Sequence, residues 1–238
     1  SVLNPLFTMI ILDVVFSSLF GMGRYGSIKD YPVYLLTGIL LFNYFSEATN
    51  LSNGAIVTNF NLLTKVYIPK YIFPLSKVLS AAVNMLFSLI ALYLIFIIEV
   101  IRGKGVYFSP THLLLLFDLA CFVLFTIGIG FILSALTVFF RDMFYIWGVV
   151  LTAWNYLTPI MYPVEMVSNS DFAFKGLVLF IFKINPLYYY VTYARMCVMD
   201  NIVPSLKMHL ACLLIAVFFL ALGTLFFRSK QDKFIYHI

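Results

Sequence analysis

The sequence predicts an all-α, polytopic membrane protein with six transmembrane helices, and three observations lead to this fold class. Hydrophobic residues make up 63% of the 238 residues and charged residues only 11%, whereas soluble domains have roughly 45–50% apolar and about 25% charged residues. The apolar residues fall in six runs, and about 20 such residues cross a bilayer. Glycine, proline and charged residues separate the runs. This composition excludes an ordinary cytosolic enzyme and a disordered chain.

The charge and cysteine patterns exclude further classes of protein. The net charge is +5, but the 15 Lys and Arg residues are scattered singly. Proteins that follow a phosphate backbone carry basic runs or patches, so we expect no nucleic-acid partner. The three cysteines are an odd number and lack C-x-x-C spacing, which supports neither a disulfide framework nor a zinc site.

We interpret residues 1–238 as a single transmembrane domain. The predicted spans cover, in chain order, residues 3–20, 32–53, 72–101, 112–140, 143–162 and 208–227. The first contains Asp13, and the second is polar in its later half. The third is long enough to tilt or to protrude, since a spanning helix needs only about 20 residues. The sixth has no charged residue.

The connections between the spans contain two further predicted elements. Residues 59–70 are amphipathic and basic, which is typical of a short helix on the membrane surface. This segment is either a docking site for a cytosolic partner or a surface anchor. Residues 164–207 predict two short interfacial or re-entrant helices, because their apolar stretches are too short to cross. Asn185 and Pro186 match an N-cap followed by a first helical residue.

Charge does not decide the orientation of the spans. Lys and Arg are divided almost evenly between the loops of the two sides, so the positive-inside rule gives no clear answer. The basic tail at 228–233 favours a cytosolic C-terminus, and six spans then place both termini in the cytosol. The chain does not begin with Met and shows no signal peptide, so we expect that a cytosolic segment precedes it.

Ionisable side chains within the spans are candidates for chemistry. Glu47 lies in the polar half of the second span, and such a group usually faces a cavity or a partner. It either lines a polar transport path or is a hydrated carboxylate near the interface, paired with a lysine. His112 and Asp118 are a pair that a membrane-embedded transferase could use as a general base. Their spacing does not place them clearly on one helix face, so we favour boundary positions for both.

Small polar residues recur every four positions in the third span, at Ser76, Ser80, Asn84 and Ser88. Such spacing lets helices approach closely, so it predicts helix packing rather than ligand contact, as does the pair of Gly130 and Ser134. Pro159 interrupts the end of the fifth span, which predicts a broken helix that forms a binding or gating element.

A cluster of aromatic residues follows Pro186, with tyrosines at 188, 189, 190 and 193. Tyrosine is enriched at membrane interfaces, and its flat ring also suits the apolar face of a sugar. We favour the interface interpretation. Neither G-x-x-x-x-G-K-[ST] nor H-E-x-x-H nor G-x-S-x-G occurs in the sequence, so we expect no ATP hydrolysis, cofactor or metal on this chain itself.

Five segments together resemble the permease subunit of type-2 ABC exporters, in the branch that exports lipid-linked polysaccharides such as O-antigen and teichoic acid. They are NLLTKVYIP at 61–69, VFFRD at 138–142, YLTPIMYP at 156–163, NPL at 185–187 and the basic, aromatic tail from residue 228. Their order and spacing also fit, and the resemblance covers nearly the whole chain. The family's cytosolic amphipathic N-terminal segment has no counterpart in this sequence.

The resemblance implies a transport subunit rather than an enzyme. It implies a homodimer in the bacterial cytoplasmic membrane, bound to a pair of separate ATPase subunits that carry ATP and Mg. The segment 59–70 is then the coupling helix that contacts the ATPase. Carried onto this chain, the contact residues are Asn59, Asn61, Lys65, Lys70, Arg141 and Asp142. The alternative for Asp142 is that it is only the N-cap of the fifth span.

The resemblance also implies an aromatic-lined channel between the two subunits, with gate helices on the outer face at 164–207. The substrate-path residues that the resemblance implies are Tyr44, Phe45, Trp154, Tyr156 and Tyr188, and Glu47 is added to them for its position in the second span. Lys65, Lys70 and Lys77 either meet a phosphorylated lipid head group or simply snorkel to the membrane surface. Two alternatives stay open, namely an ABC permease for a drug, peptide or lipid, and the membrane-embedded transferase.

Overall fold

The computed structural model describes residues 31–65, 68–101, 103, 107–169 and 174–236. All regular structure in these ranges is helical, which confirms the all-α prediction for them. The predicted first span at 3–20, with Asp13, lies outside the described residues.

Ten α-helices follow one another in the described ranges. They are α1 (Tyr31–Asn53), α2 (Ala55–Thr58), α3 (Phe60–Lys65), α4 (Ile72–Ile101), α5 (Leu114–Phe139), α6 (Met143–Leu157), α7 (Val164–Asn169), α8 (Lys175–Ile184), α9 (Pro186–Arg195) and α10 (Leu206–Lys230). A 3-10 turn at Pro110–Leu113 precedes α5, a π-helical turn at Met196–Asp200 follows α9, and a 3-10 turn at Gln231–Tyr236 follows α10.

Three of the described helices are long and apolar enough to cross a membrane. They are α4, α5 with the 3-10 turn before it, and α10 with the turn after it. The predicted span at 32–53 is a helix of 23 residues, but the Asn, Ser and Glu residues of its second half lower its hydropathy. Of the six predicted spans, three are therefore supported by the length and apolar character of their helices.

The helix of the predicted fifth span ends before Tyr162. Helix α6 has 15 residues and ends at Leu157, where Thr158 takes an extended conformation with φ −105° and ψ 131°. The residue before a proline is biased away from the helical region, so Pro159 ends the helix through its predecessor. The predicted break is confirmed, and the helix ends there instead of continuing beyond a kink.

Helix α5 lies at the centre of the bundle and packs against α1, α4, α9 and α10. Its contact with α10 is so close that a Cβ at Gly128 would overlap the main chain of Phe219, and one at Gly223 would overlap that of Gly128. Glycine therefore lets the two backbones touch. The predicted close packing at Gly130 is also confirmed, since a Cβ there would lie 2.6 Å from Ser52 Oγ.

The structure locates the side chains of the polar stripe on the third span and of the tyrosine cluster. Ser76, Ser80 and Asn84 are exposed, because α4 instead buries a face that contains Val78, Ala81 and Met85. Tyr190 and Tyr193 are fully buried inside the subunit. Their hydroxyls lie 3.0 Å from the Cys212 carbonyl oxygen and 2.8 Å from His209 Nε2, so the helix is anchored to α10.

The described residues of 164–207 form three short α-helices, where the sequence predicted two. Its predicted N-cap is confirmed, because the Asn185 side chain accepts a hydrogen bond of 3.0 Å from the Leu187 amide, with Pro186 as the first helical residue. The three cysteines are free and buried.

Candidate functional site

Two of the predicted substrate-path residues, Tyr44 and Phe45, lie in the aromatic core of the subunit. They are 2% and 0% exposed. The Phe45 ring lies 5.6 Å from that of Phe125 and 5.3 Å from that of Trp154, the latter edge-to-face. Such aromatic pairs favour offset-stacked and edge-to-face arrangements. Within one subunit Tyr44 and Phe45 therefore support the residues that reach the surface.

The other predicted path residues reach the surface. Tyr156 is 69% exposed on α6, whereas Trp154 and Tyr188 are half-buried. Glu47 is exposed on α1, and its Oε1 accepts a hydrogen bond of 2.7 Å from Asn84 Nδ2 on α4. The partner of Glu47 in the described residues is thus an amide rather than the lysine considered from the sequence.

Side-chain hydrogen bonds to its main-chain carbonyls hold the stretch that follows α6. Every carbonyl from Pro159 to Tyr162 accepts a hydrogen bond from a side chain of α1 or α9. Tyr31 and Tyr34 donate to the Met161 and Tyr162 oxygens at 2.8 and 3.0 Å. Irregular backbone at membrane depth persists only where protein or water satisfies it, and here protein side chains do so.

Arg195, at the end of α9, supplies the remaining bonds of this break. It is 7% exposed, and its Nη1 and Nη2 donate to the Pro159 and Ile160 oxygens at 2.7 Å each. Sequence reasoning gave Arg195 no role and so missed this one. A lone arginine in a tyrosine-rich helix, 36 residues after the proline that ends a span, was the signal that could have found it.

Asn185 completes the attachment of α6 to the short helices. Its Nδ2 donates to Thr158 Oγ1 at 2.7 Å and to the Leu157 oxygen at 3.3 Å, while its Oδ1 accepts from Trp154 Nε1 at 2.7 Å. The same oxygen caps α9. One buried amide therefore joins the end of α6 to the start of α9.

The predicted ATPase-contact residues fall into two groups. Asn61, Lys65, Arg141 and Asp142 are exposed. Asn59 and Lys70 are half-buried and turned inward, since Asn59 Nδ2 donates to the Ala55 oxygen at 2.8 Å and Lys70 Nζ to the Gln231 oxygen at 2.7 Å. Lys70 also lies over the Phe234 ring at 5.8 Å from its centroid.

The two contact regions lie near each other. A Cβ at Gly54, just before α2, would lie 2.9 Å from the ring of Phe144, two residues beyond Asp142. Asp142 occupies the N-cap position of α6, but its side chain caps no amide there. Its main-chain oxygen instead accepts from the Tyr145 and Ile146 amides at 3.0 Å each.

The geometry does not support the transferase alternative. His112 Nδ1 lies 3.2 Å from the Tyr93 hydroxyl, whereas Asp118 is fully buried and has no hydrogen-bond partner among the residues described. The two side chains therefore form no acid–base pair. Among these residues, none of the His, Cys, Asp and Glu side chains forms a group of three or more that could hold a metal ion.

The described helices form an apolar bundle, and side chains satisfy the backbone of the non-helical break after α6. This is the architecture of a multi-pass membrane protein. The family model described as ABC-2 type transporter matches residues 1–199, and the chain belongs to this family. The resemblance found in the five segments is thereby confirmed.

The chain is similar to curated proteins that are named for the export or transport of O-antigen or polysialic acid. An O-antigen export system permease protein RfbA from Myxococcus xanthus is 26% identical over 234 residues, covering 98% of this chain and 84% of the relative. One of the same name from Klebsiella pneumoniae is 28% identical over 172 residues, covering 71% and 62%. The polysialic acid transport protein KpsM from Escherichia coli is 24% identical over 225 residues, covering 92% and 81%.

Proposed function

We propose that the chain is the channel-forming permease subunit of an ATP-driven exporter of lipid-linked polysaccharide, of the O-antigen or teichoic-acid type, across the bacterial cytoplasmic membrane. The observation that carries this proposal is the similarity to an O-antigen export permease along 98% of the chain. A second polysaccharide permease, for polysialic acid, matches 92% of it. Both relatives are named for the export or transport of a polysaccharide.

Hydrolysis of ATP, bound with Mg on separate ATPase subunits, supplies the energy of transport. Two copies of the permease bind two of these ATPase subunits. Residues 59–70 act as the coupling segment, and their exposed members Asn61 and Lys65 meet the ATPase. The exposed turn of Arg141 and Asp142 extends this surface, since Gly54 and Phe144 bring the two regions together. Asn59 and Lys70 position the segment rather than contact the partner, because their side chains bind main-chain oxygens of this chain.

The glycan passes between the two permease subunits. Glu47 and Tyr156 contribute exposed polar groups to this path, while Trp154 and Tyr188 contribute partly buried rings. Tyr44 and Phe45 form the rigid layer behind them. An exposed carboxylate and exposed aromatic faces suit the hydroxyl groups and the apolar ring faces of a sugar, respectively.

Six spans with both termini in the cytosol place the coupling segment and the basic tail on the cytosolic side. Both are basic, and an excess of Lys and Arg is typical of cytosolic segments. The bond from Lys70 to the Gln231 oxygen supports this arrangement, because it puts the coupling segment and the tail on one face of the membrane. The short helices α7, α8 and α9 then form the gate on the outer face.

The experiment is deletion of the gene in its native host, followed by measurement of surface polysaccharide and of lipid-linked glycan in the cytosolic leaflet. The proposal predicts loss of the surface polymer and accumulation of its lipid-linked form, both restored by the wild-type gene. Unchanged surface polysaccharide together with sensitivity to a drug or loss of a secreted peptide would instead establish the ABC alternative.

A further inference from the structure

A groove of about 590 Å³ opens beside the basic end of α10. Its walls come from the chain between α3 and α4, from α5, from α10 and from the C-terminal 3-10 turn. The side chains that matter for its chemistry are Phe131, Phe227, Thr224, Lys70, Arg228 and Asp232. No member of the proposed substrate path lines it.

The groove changes from apolar to basic along its length. Phe131 and Phe227 form the inner wall and are 7% and 2% exposed. Phe131 lies eight residues before the end of α5 at Phe139, which is about 12 Å along the helix axis. Phe227 is followed directly by Arg228, so α10 passes from its apolar run to its basic end at this level. The groove therefore extends from the membrane boundary into the depth of the hydrocarbon chains.

The two cations at the basic end of the groove, Arg228 and Lys70, have hydrogen-bond donors that the described residues do not use. Arg228 is exposed and makes no hydrogen bond or ion pair with the part of the chain that the structure describes. Lys70 Nζ uses one bond, of 2.7 Å, to the Gln231 oxygen, and an ammonium has three donors. Arginine and lysine donors form strong, charge-assisted hydrogen bonds with phosphate oxygens.

The rim also carries one carboxylate, from the exposed Asp232. Two cations and one anion leave a single positive charge, which matches one phosphodiester rather than a diphosphate. A carboxylate also accepts hydrogen bonds from the hydroxyl groups of a head group. The charges therefore favour a lipid with one phosphodiester and a hydroxyl-bearing head.

We propose that this groove binds an anionic phospholipid of the phosphatidylglycerol type. The phosphate lies between Lys70 and Arg228, the glycerol hydroxyls face Asp232, and an acyl chain follows Phe131 and Phe227. Basic pockets between membrane helices are known to bind anionic head groups. The occupant is a lipid of the bilayer rather than the exported one, because the walls do not include α1, α6 or α9. Bound there, it holds the coupling segment against the tail.

The test is native mass spectrometry of the delipidated full-length permease in mild detergent, with phosphatidylglycerol, phosphatidylethanolamine and a polyprenyl phosphate as separate probes. We expect one phosphatidylglycerol per chain, at higher occupancy than phosphatidylethanolamine. Arg228→Gln should lower that affinity roughly fivefold, in line with about 1 kcal/mol for one basic residue near a lipid head group. Lys230→Gln removes the same charge from the same helix end outside the groove and should leave binding unchanged.

A second variant tests the groove without changing any charge. Thr224→Phe fills the groove with both cations in place and should also weaken phosphatidylglycerol binding, while both variants keep the elution volume of the wild type. Equal losses in Arg228→Gln and Lys230→Gln, or wild-type binding in Arg228→Gln, would overturn the site. Binding of the polyprenyl phosphate without phosphatidylglycerol would overturn the bilayer lipid as the occupant.

Discussion

The guanidinium carbon of Arg195 lies 3.5 Å from the centre of the Tyr34 ring, and the same side chain donates to the Tyr34 main-chain oxygen at 3.3 Å. The two residues are 161 positions apart. Both also bind the stretch after α6, Arg195 at Pro159 and Ile160 and Tyr34 at Tyr162. The cation thus supplies hydrogen-bond donors to two carbonyl oxygens of the non-helical stretch after α6, so the end of α6 is fixed to α1 and α9 together.

Arg195→Lys should destabilise the subunit. A lysine carries a point charge and cannot both stack on Tyr34 and serve two carbonyls with a planar fork. Lost hydrogen bonds to a charged group cost about 1.5–3 kcal/mol, so we expect a lower midpoint of thermal unfolding in detergent and weaker export. Lys183→Gln, at an exposed cation near α9, is the control. Equal midpoints for the two variants would show that Arg195 does not hold the break.

Gly38→Ala should disturb the same contact from the side of α1. A Cβ at Gly38 would lie 2.7 Å from Arg195 Nη2 and 3.1 Å from Ile160 Cγ2. We expect destabilisation, and less than additive loss when it is combined with Arg195→Gln, because residues in contact couple. Gly148→Ala is the matched control, since a Cβ there meets nothing within 4 Å. If the losses of stability in the two single variants add up exactly in the double variant, Gly38 does not act through its contact with Arg195.

Lys65 and Lys70 should differ although they lie in one predicted coupling segment. Lys65 is exposed, so Lys65→Ala should reduce ATPase activity coupled to the permease and leave the unfolding midpoint unchanged. Lys70→Ala removes the partner of the Gln231 oxygen and the contact over Phe234, so it should also lower the midpoint. The measurements are ATPase activity of the purified complex and thermal unfolding. Unchanged coupling in Lys65→Ala would contradict the docking role.

Tyr156→Ala should reduce export without affecting folding. Its ring is 69% exposed and belongs to the proposed glycan path, whereas Tyr145 is 81% exposed at the other end of α6. The assay is surface polysaccharide in the deletion strain that carries each variant. We expect Tyr156→Ala to lower the polymer and Tyr145→Ala to leave it near the wild-type level. The reverse order would remove Tyr156 from the path.

The sequence predicted elements that local patterns determine. The apolar runs at 72–101 and 112–140 exceed the length that a bilayer requires, and the structure confirms both as helices. Asn185 before Pro186 is a local capping signal, and the cap is present. Five segments in register were sufficient to predict the family that residues 1–199 match.

Features that depend on contacts between distant residues were missed. From the sequence alone Arg195 is a single charged residue without a visible partner, because the residues that it binds in the folded chain lie 35 to 161 positions away. The sequence also does not show that Tyr190 is buried, because its burial comes from the packing of α9 against α10. The sequence also gave Lys70 the same expected role as Lys65, since nothing local shows that Lys70 meets the tail.

The most direct test of the central claim is co-purification of the affinity-tagged chain from its native membrane, with mass spectrometry and an ATPase assay. The account predicts a stoichiometric partner that carries a Walker motif, two permease and two ATPase chains in the complex, and ATPase activity in detergent. A permease that purifies under mild conditions without a nucleotide-binding partner would contradict it.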